Sequence, residues 1–247
     1  MTEIINIKNL SKVYKGSNTP ALNDFSLVIN EGVTGILGPN GAGKTTLIHI
    51  ITGLIKDFKG DVKCLNYNLP QKINKLKPLI GIVPQEIALY EELTAAENLK
   101  FFGSLYKVDK KIISQNIENY LTELGLYDRR NDKIKSYSGG MKRRINIICG
   151  LLHEPNLLLL DEPTVGVDVQ SKKVILDFLK TLSKKGTNII YTSHLMEDVQ
   201  FLCDSVSIID NGKLIESGKT DDLISKYDNC NNLEDVFVHL TGKALRD

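Results

Sequence analysis

The sequence has no apolar stretch long enough to cross a bilayer: its wholly apolar runs are short, as in Leu157 to Leu160, against the roughly 20 residues that a spanning helix needs. Direct membrane insertion is not expected, and a membrane role would need a partner. The opening Met-Thr-Glu-Ile-Ile-Asn lacks both the basic leader and the apolar stretch of a secretion signal, so export is not expected either. Cysteine is scarce. Cys64, Cys149, Cys203 and Cys230 are scattered and three lie inside apolar runs, which fits reduced, buried thiols better than bridges or zinc and points to the cytoplasm. Excess charge of either sign is also lacking. With 31 Lys plus Arg against 30 Asp plus Glu, composition gives no basic surface for a nucleic-acid partner, and any anion site has to be local. There is no internal repeat and no low-complexity tract. What is there is 247 residues, enough for one large α/β domain with a substantial core.

Hydrophobic periodicity gives the order of elements. Alternating stretches at Ile4 to Leu10 and Phe25 to Ile29 predict an antiparallel β edge. Gly32 to Leu37 reads as a buried strand, followed by a glycine-rich loop and a helix from Lys44 to Leu54. Residues 60 to 67 and 79 to 83 supply two further strands. A capping box at Thr94-Ala95-Ala96-Glu97 opens a helix to about Tyr106, and Ile113, Ile117, Leu121 and Leu124 space a second before Gly125. Ser138 caps a third through Leu152, and Leu157 to Leu160 is an apolar strand. A helix follows from Asp168 to Gly186, then strands at Asn188 to Thr192 and Ser205 to Ile209, a turn at Asn211-Gly212 and two short helices. The pattern predicts an α/β fold: a P-loop core with a mainly parallel sheet, an N-terminal antiparallel β edge and an inserted helical subdomain.

The nine residues Gly38-Pro39-Asn40-Gly41-Ala42-Gly43-Lys44-Thr45-Thr46 make a P-loop pattern placed where its chemistry requires, between a strand and a helix. Glycines let backbone N–H groups approach phosphate oxygens at a helix N-terminus. Lys44 is expected to reach the β- and γ-phosphates of ATP, Thr45 to give its hydroxyl to Mg²⁺, and Thr46 to add a phosphate contact. A second motif, Leu157 through Asp161-Glu162-Pro163, delivers two carboxylates at the end of an apolar strand. Asp161 suits the Mg²⁺ shell and Glu162 suits polarising the attacking water. These two motifs fit kinases, GTPases, helicases and transporter ATPases alike.

A third motif separates them. Tyr137-Ser138-Gly139-Gly140-Met141 precedes the acid-bearing strand, and here the chain resembles the ABC ATPase family, whose signature most often reads LSGGQ. Tyr137 and Met141 depart from the commonest letters; Ser138, Gly139 and Gly140 match and form a second phosphate cradle at a helix N-terminus. The resemblance covers nearly the whole chain. It implies that Tyr14 stacks on adenine, that Gln85 is the Q-loop glutamine near Mg²⁺ and the lytic water, that Gly166 to Asp168 form the D-loop, and that His194 contacts the γ-phosphate. It implies a head-to-tail dimer in which Ser138 and Gly140 of one subunit meet the nucleotide held by Lys44 of the other. It also implies a single ABC ATPase domain: residues 1–85 and 153–220 form the catalytic core, 86–152 the helical subdomain, and 220–247 short C-terminal helices. Leu89 to Thr94, Glu97-Asn98-Leu99, Met141 and the ending Leu233 to Gly242 are similar to ATPases of ABC-2-type exporters. A homodimer beneath polytopic permease subunits, peripheral at the inner face of the cell membrane, is the expectation; the alternatives are a soluble ABC ATPase such as a cluster-assembly ATPase, and less favourably an importer ATPase.

Overall fold

The computed structural model describes residues 2–242, so residues 243–247 of the expected C-terminal helical segment lie outside the described residues. From the N-terminus run β1 (Glu3–Lys12), β2 (Leu22–Asn30), β3 (Val33–Leu37), α1 (Lys44–Ile51), β4 (Lys59–Cys64), β5 (Tyr67–Leu69) and α2 (Ile73–Leu76). Next come β6 (Ile80–Val83), α3 (Ala95–Ser104), α4 (Lys110–Glu123), α5 (Gly139–Leu151), β7 (Leu157–Asp161) and α6 (Val169–Lys184). Then follow β8 (Asn188–Ser193), α7 (Met196–Leu202), β9 (Ser205–Asp210), β10 (Lys213–Lys219), α8 (Thr220–Lys226) and α9 (Leu233–Thr241). Two compact units divide the chain: Met1–Lys77 with Asn188–Asp247, and Pro78–Thr187.

In the first unit, β3 is buried at all five positions, as a strand covered on both faces must be. It pairs in parallel with β8 on one side and β9 on the other, and β10 returns antiparallel on β9. Gly35 in β3 is what lets α7 come close: a Cβ there would lie 2.6 Å from Val199 Cγ1 and 3.1 Å from Cys203 Sγ. The helix α7 is an addition to the expected elements, although Met196, Val199 and Leu202 share one helical face and Glu197 and Asp198 stand in its first turn. The antiparallel edge is larger than expected, a separate four-stranded sheet in the order β2-β1-β4-β5. The single strand expected over residues 60–67 is two strands, because Leu65 (φ 44) and Asn66 (φ 66) turn the chain back within two residues in the left-handed pair that tight hairpins require. The helix expected to reach Leu54 stops at Ile51, with Thr52 as its C-cap and Gly53 left-handed at φ 74.

In the second unit, β6 and β7 pair in parallel from Ile80↔Leu157 to Val83↔Leu160. Leu157, Leu158, Leu159 and Leu160 are all fully buried, and truncating any one to alanine costs about 2–5 kcal/mol. The capping box at Thr94 is present in both directions, Glu97 N donating to Thr94 Oγ1 at 3.2 Å and Thr94 N to Glu97 Oε2 at 2.8 Å. Asp109 and Asp168 cap α4 and α6.

Just after α5, His153 ties three segments of this unit together. Its Nε2 lies 2.9 Å from Ile80 O, and its ring stacks on Tyr106 at 3.8 Å. Facing a carbonyl, Nε2 carries the proton, while Nδ1 is buried without a hydrogen-bond partner, so a second proton has no acceptor. Burial accordingly holds the pKa of His153 below the ordinary 6.5. The unfolded chain then takes up a proton near that pH that the folded chain refuses, and stability is lost as pH falls from about 7 toward 5. Urea midpoints measured across this range are expected to fall with pH, and His153→Gln to flatten the slope; an unchanged slope would remove His153 as its source.

Candidate active site

The first unit holds the phosphate loop. Leu37, last in β3, pairs with Ser193, last in β8, and Gly38 N donates to Ser193 O at 3.3 Å. A Cβ at Gly38 would collide with Ile209 O. Gly43 is required twice over: its φ is 109, and a Cβ would lie 2.6 Å from Ala21 O. Gly43 is also the N-cap of α1 and no side chain caps that helix, so its first-turn N–H groups suit an anion. Pro39, Asn40 and Gly41 form the outer rim, Ala42 is buried, and Ala42 N closes the turn on Pro39 O at 3.1 Å.

Lys44 is buried and folds back over this loop, its Nζ donating to Gly38 O at 2.8 Å and Pro39 O at 3.1 Å. That places an ammonium beside the row of loop amides. Thr45 is exposed, whereas Thr46 is buried with its Oγ1 3.1 Å from Tyr14 OH. Tyr14 follows β1 and is 43% exposed, leaving ring surface for a ligand. His194 comes directly after Ser193, whose carbonyl receives the Gly38 amide, so it stands at the strand-end edge from which the loop departs. Tyr14, residues 38–46 and His194 are thus grouped within the first unit.

The second unit gathers the other candidates. Asp161 ends β7 and Glu162 follows; both are buried. Glu162 has φ 48, a left-handed conformation that costs a glutamate roughly 1–2 kcal/mol and turns its side chain out of the strand's alternation. Gln85 Nε2 is 3.5 Å from Glu162 Oε2, so the Q-loop amide and the second carboxylate meet. A residue that the motif reading passed over holds this arrangement. Arg143, buried in α5, donates to Pro84 O at 3.0 Å and Gln85 O at 2.7 Å, and Asn146 Nδ2 adds a bond to Pro84 O at 3.3 Å. The signature helix is thereby fastened to the backbone of the Q-loop by charge-assisted bonds. Its signal in the sequence is an arginine spaced with Gly140, Ile147 and Gly150 on the inward stripe of a helix.

In the signature, Ser138 caps α5, its Oγ accepting from Met141 N at 3.2 Å, so the hydroxyl proton is free to be donated. Gly139 is exposed with open space around it, whereas a Cβ on Gly140 would collide with Ser171 Oγ and lie 2.9 Å from Asp168 Oδ2. One glycine serves packing against α6, and the other serves no internal contact. The unusual Tyr137 is accommodated by its hydroxyl donating to Arg129 O at 2.7 Å, and Met141 Sδ receives Arg129 Nη1 at 3.8 Å. In the segment Gly166 to Asp168, Gly166 has φ 71 and Asp168 Oδ1 accepts from Ser171 N at 2.8 Å; these backbone and hydroxyl bonds hold the Asp168 carboxyl below its usual range. Val169 beside it is 81% exposed.

A family model described as ABC transporter matches residues 22–165. The chain is 43% identical over 244 residues to the linearmycin resistance ATP-binding protein LnrL of Bacillus subtilis, covering 99% of this chain and 76% of that one. It is 34% identical to the Nod factor export ATP-binding protein I of Cupriavidus pinatubonensis, covering 95% and 72%. Among solved structures, an ATP-binding subunit of an ABC transporter superposes with a TM-score of 0.85 at 28% identity, covering 96% and 99%. An ATP-binding cassette solved as a dimer in a post-hydrolysis state with ADP and Pi superposes with a TM-score of 0.78 at 26% identity, covering 87% and 98%. Phosphate loop, acid-bearing strand and serine-glycine-glycine helix cap, taken with these relatives, make the chain a member of the ABC transporter family, an ATP-binding transporter subunit that hydrolyses ATP.

Proposed function

We propose that this subunit powers an exporter, of the ABC-2 type, as a homodimer that closes on two ATP molecules beneath two polytopic membrane subunits. The relatives named for linearmycin resistance and Nod factor export support the direction of transport. The observation that carries the docking is a cluster of exposed aromatics just beyond the Q-loop. Tyr90 is 51% exposed and meets Phe101, 41% exposed, edge to face at 5.1 Å. Buried Asn98 fixes this loop, accepting from Tyr90 N at 2.8 Å and donating to Tyr90 O at 3.0 Å. A rigid aromatic patch rimmed by Glu91 and Glu92 has the make-up of a protein interface. Residues 86–100, joined by Phe101, would thus form part of the surface that receives the membrane subunit, which would hold the ATPase at the inner face of the cell membrane.

In this reading residues 1–85 and 153–220 form the catalytic core, 86–152 the helical subdomain and 220–247 the C-terminal helices. Lys44 and the amides of residues 38–46 hold the phosphates, Tyr14 the adenine, and Ser138, Gly139 and Gly140 the γ-phosphate bound by the partner subunit. Glu162 polarises the water, with Gln85 and His194 orienting it. Thr45, Gln85 and Asp161 offer hydroxyl, amide and carboxylate oxygens, the hard donors Mg²⁺ takes, and Gln85 turns its nitrogen toward Glu162, which leaves its oxygen for the metal. When bound, Mg²⁺ supplies charge neutralisation on the phosphates. Loss of the γ-phosphate removes contacts made only in the closed dimer, which biases it toward opening.

Affinity purification of the tagged chain from detergent-solubilised source-cell membranes tests the transporter reading. A polytopic membrane protein is expected to copurify, and Tyr90→Asp with Phe101→Asp is expected to release it. Recovery of soluble partners alone would favour an ABC ATPase that works without a permease.

A further inference from the structure

The position of Tyr14 is set by an irregularity in β1. Strand alternation puts Ile5 and Ile7 inward, then breaks: Lys8 and Asn9 are both exposed, and Leu10 and Lys12 are buried. The pairing of β1 with β2 shifts register between Ile7 and Leu10. Asn9 (φ 52) lies at this shift and Asp24 (φ 50) at a second one between Leu10 and Lys12, and the two are joined diagonally by a 2.8 Å bond from Asn9 Nδ2 to Asp24 Oδ1. A bulge of this kind moves every later side chain to the opposite face. Without it Lys12 would point to solvent; with it Lys12 is only 8% exposed.

Once inside, Lys12 acts on Tyr14. Its Nζ lies 5.5 Å from the ring centroid, over one face, within cation–π range. It also reaches Asp57 Oδ2 at 3.2 Å. At the tip of the ring, the hydroxyl meets Thr46 Oγ1 at 3.1 Å. One face and the tip of Tyr14 are therefore engaged, and the other face is the one that a base has left to stack on.

We infer that Lys12 and Thr46 are positioning residues that hold Tyr14 as a platform for the nucleotide base, with Thr46 linking base recognition to the phosphate loop. The inference rests on the reading of Tyr14 as the adenine-stacking residue. A threonine hydroxyl donates one hydrogen bond and accepts others. When Thr46 donates to a phosphate oxygen, its lone pairs stay available to accept from Tyr14, so phosphate binding and ring orientation favour one another.

Calorimetric titration of the full chain with MgATP and with inorganic tripolyphosphate tests this. Tyr14→Phe and Thr46→Val are each expected to weaken ATP binding about three- to tenfold, the range of one neutral hydrogen bond, and the double variant to be no weaker than the weaker single. Thr46→Ser and Lys12→Arg are expected to retain ATP affinity where Thr46→Val and Lys12→Met lose it. Tyr14→Phe and Lys12→Met are expected to weaken tripolyphosphate binding by less than they weaken ATP binding, because that ligand loses the support of Thr46 but has no base contact to lose. Additive losses in the double variant, or equal losses for Lys12→Arg and Lys12→Met, would overturn the inference while a large loss for Tyr14→Ala kept the base platform. Wild-type ATP affinity in Tyr14→Ala would bring down the platform itself, and the inference with it.

Discussion

Glu162→Gln is expected to bind ATP as the parent chain does, to lose about 10²- to 10⁴-fold in turnover, and to accumulate as an ATP-bound dimer. The substitution is close to isosteric. Glutamine keeps an oxygen that accepts from Gln85 Nε2, the contact made at 3.5 Å in the parent, and it bears the same left-handed backbone at φ 48. Fold and site geometry are thus retained, while the carboxylate that would take a proton from water is gone. Single-turnover hydrolysis measures the chemical step apart from product release, and light scattering in ATP and in ADP follows the dimer. Turnover within about threefold of the parent would exclude Glu162 as the base, since a general base contributes far more than that. A slow variant that stays monomeric in ATP would keep the base and count against the closed dimer as the hydrolysing state.

The parts of this site visible in the sequence are those whose chemistry is carried by neighbouring letters. Residues 38–43 form a loop that leads into α1 because Gly38, Gly41 and Gly43 stand within six residues of the lysine they serve, and Ser138 announces its own helix cap. Leu157 to Leu160 can only be a covered strand, so the position of Asp161 at its end follows. The parts that were hidden depend on pairing between distant segments. Leu65-Asn66 lacks the glycine that usually marks a two-residue hairpin, so β4 and β5 read as one strand. The bulge at Asn9 exists only in the pairing of β1 with β2, and without it Lys12 reads as an exposed strand lysine. Arg143 reads as one more cation in Lys142-Arg143-Arg144, although its two bonds to Pro84 and Gln85 shape the Q-loop. A buried arginine is expensive unless its guanidinium finds acceptors, and the two carbonyls that receive Nη1 and Nη2 lie more than fifty residues away.

The adjacent glycines of the signature give a test that separates folding from association. Gly139→Arg is expected to leave the thermal midpoint and ATP binding by the monomer unchanged, because no atom lies within 4 Å of the added Cβ and no φ constraint applies, and arginine is a good helix former. In a nucleotide sandwich the same side chain would enter the gap between two subunits, where it displaces the close backbone approach that the cradle needs. ATP-dependent dimerisation is therefore expected to be lost and steady-state hydrolysis to fall at least about tenfold, equivalent to about 1.4 kcal/mol of lost transition-state stabilisation. Gly140→Ala is expected to fail by the other route: its Cβ meets Ser171 Oγ and lies 2.5 Å from Ser171 Cβ, so the first turns of α5 and α6 must part, at about 1–3 kcal/mol for overpacking. Urea denaturation reads that loss, and Gly140→Ala with Ser171→Gly is expected to recover part of it. If Gly139→Arg dimerises in ATP as well as the parent, the exposed glycine faces no partner and the head-to-tail arrangement is wrong for this chain. If it unfolds, the open space beside Gly139 is filled by something the isolated subunit already contains.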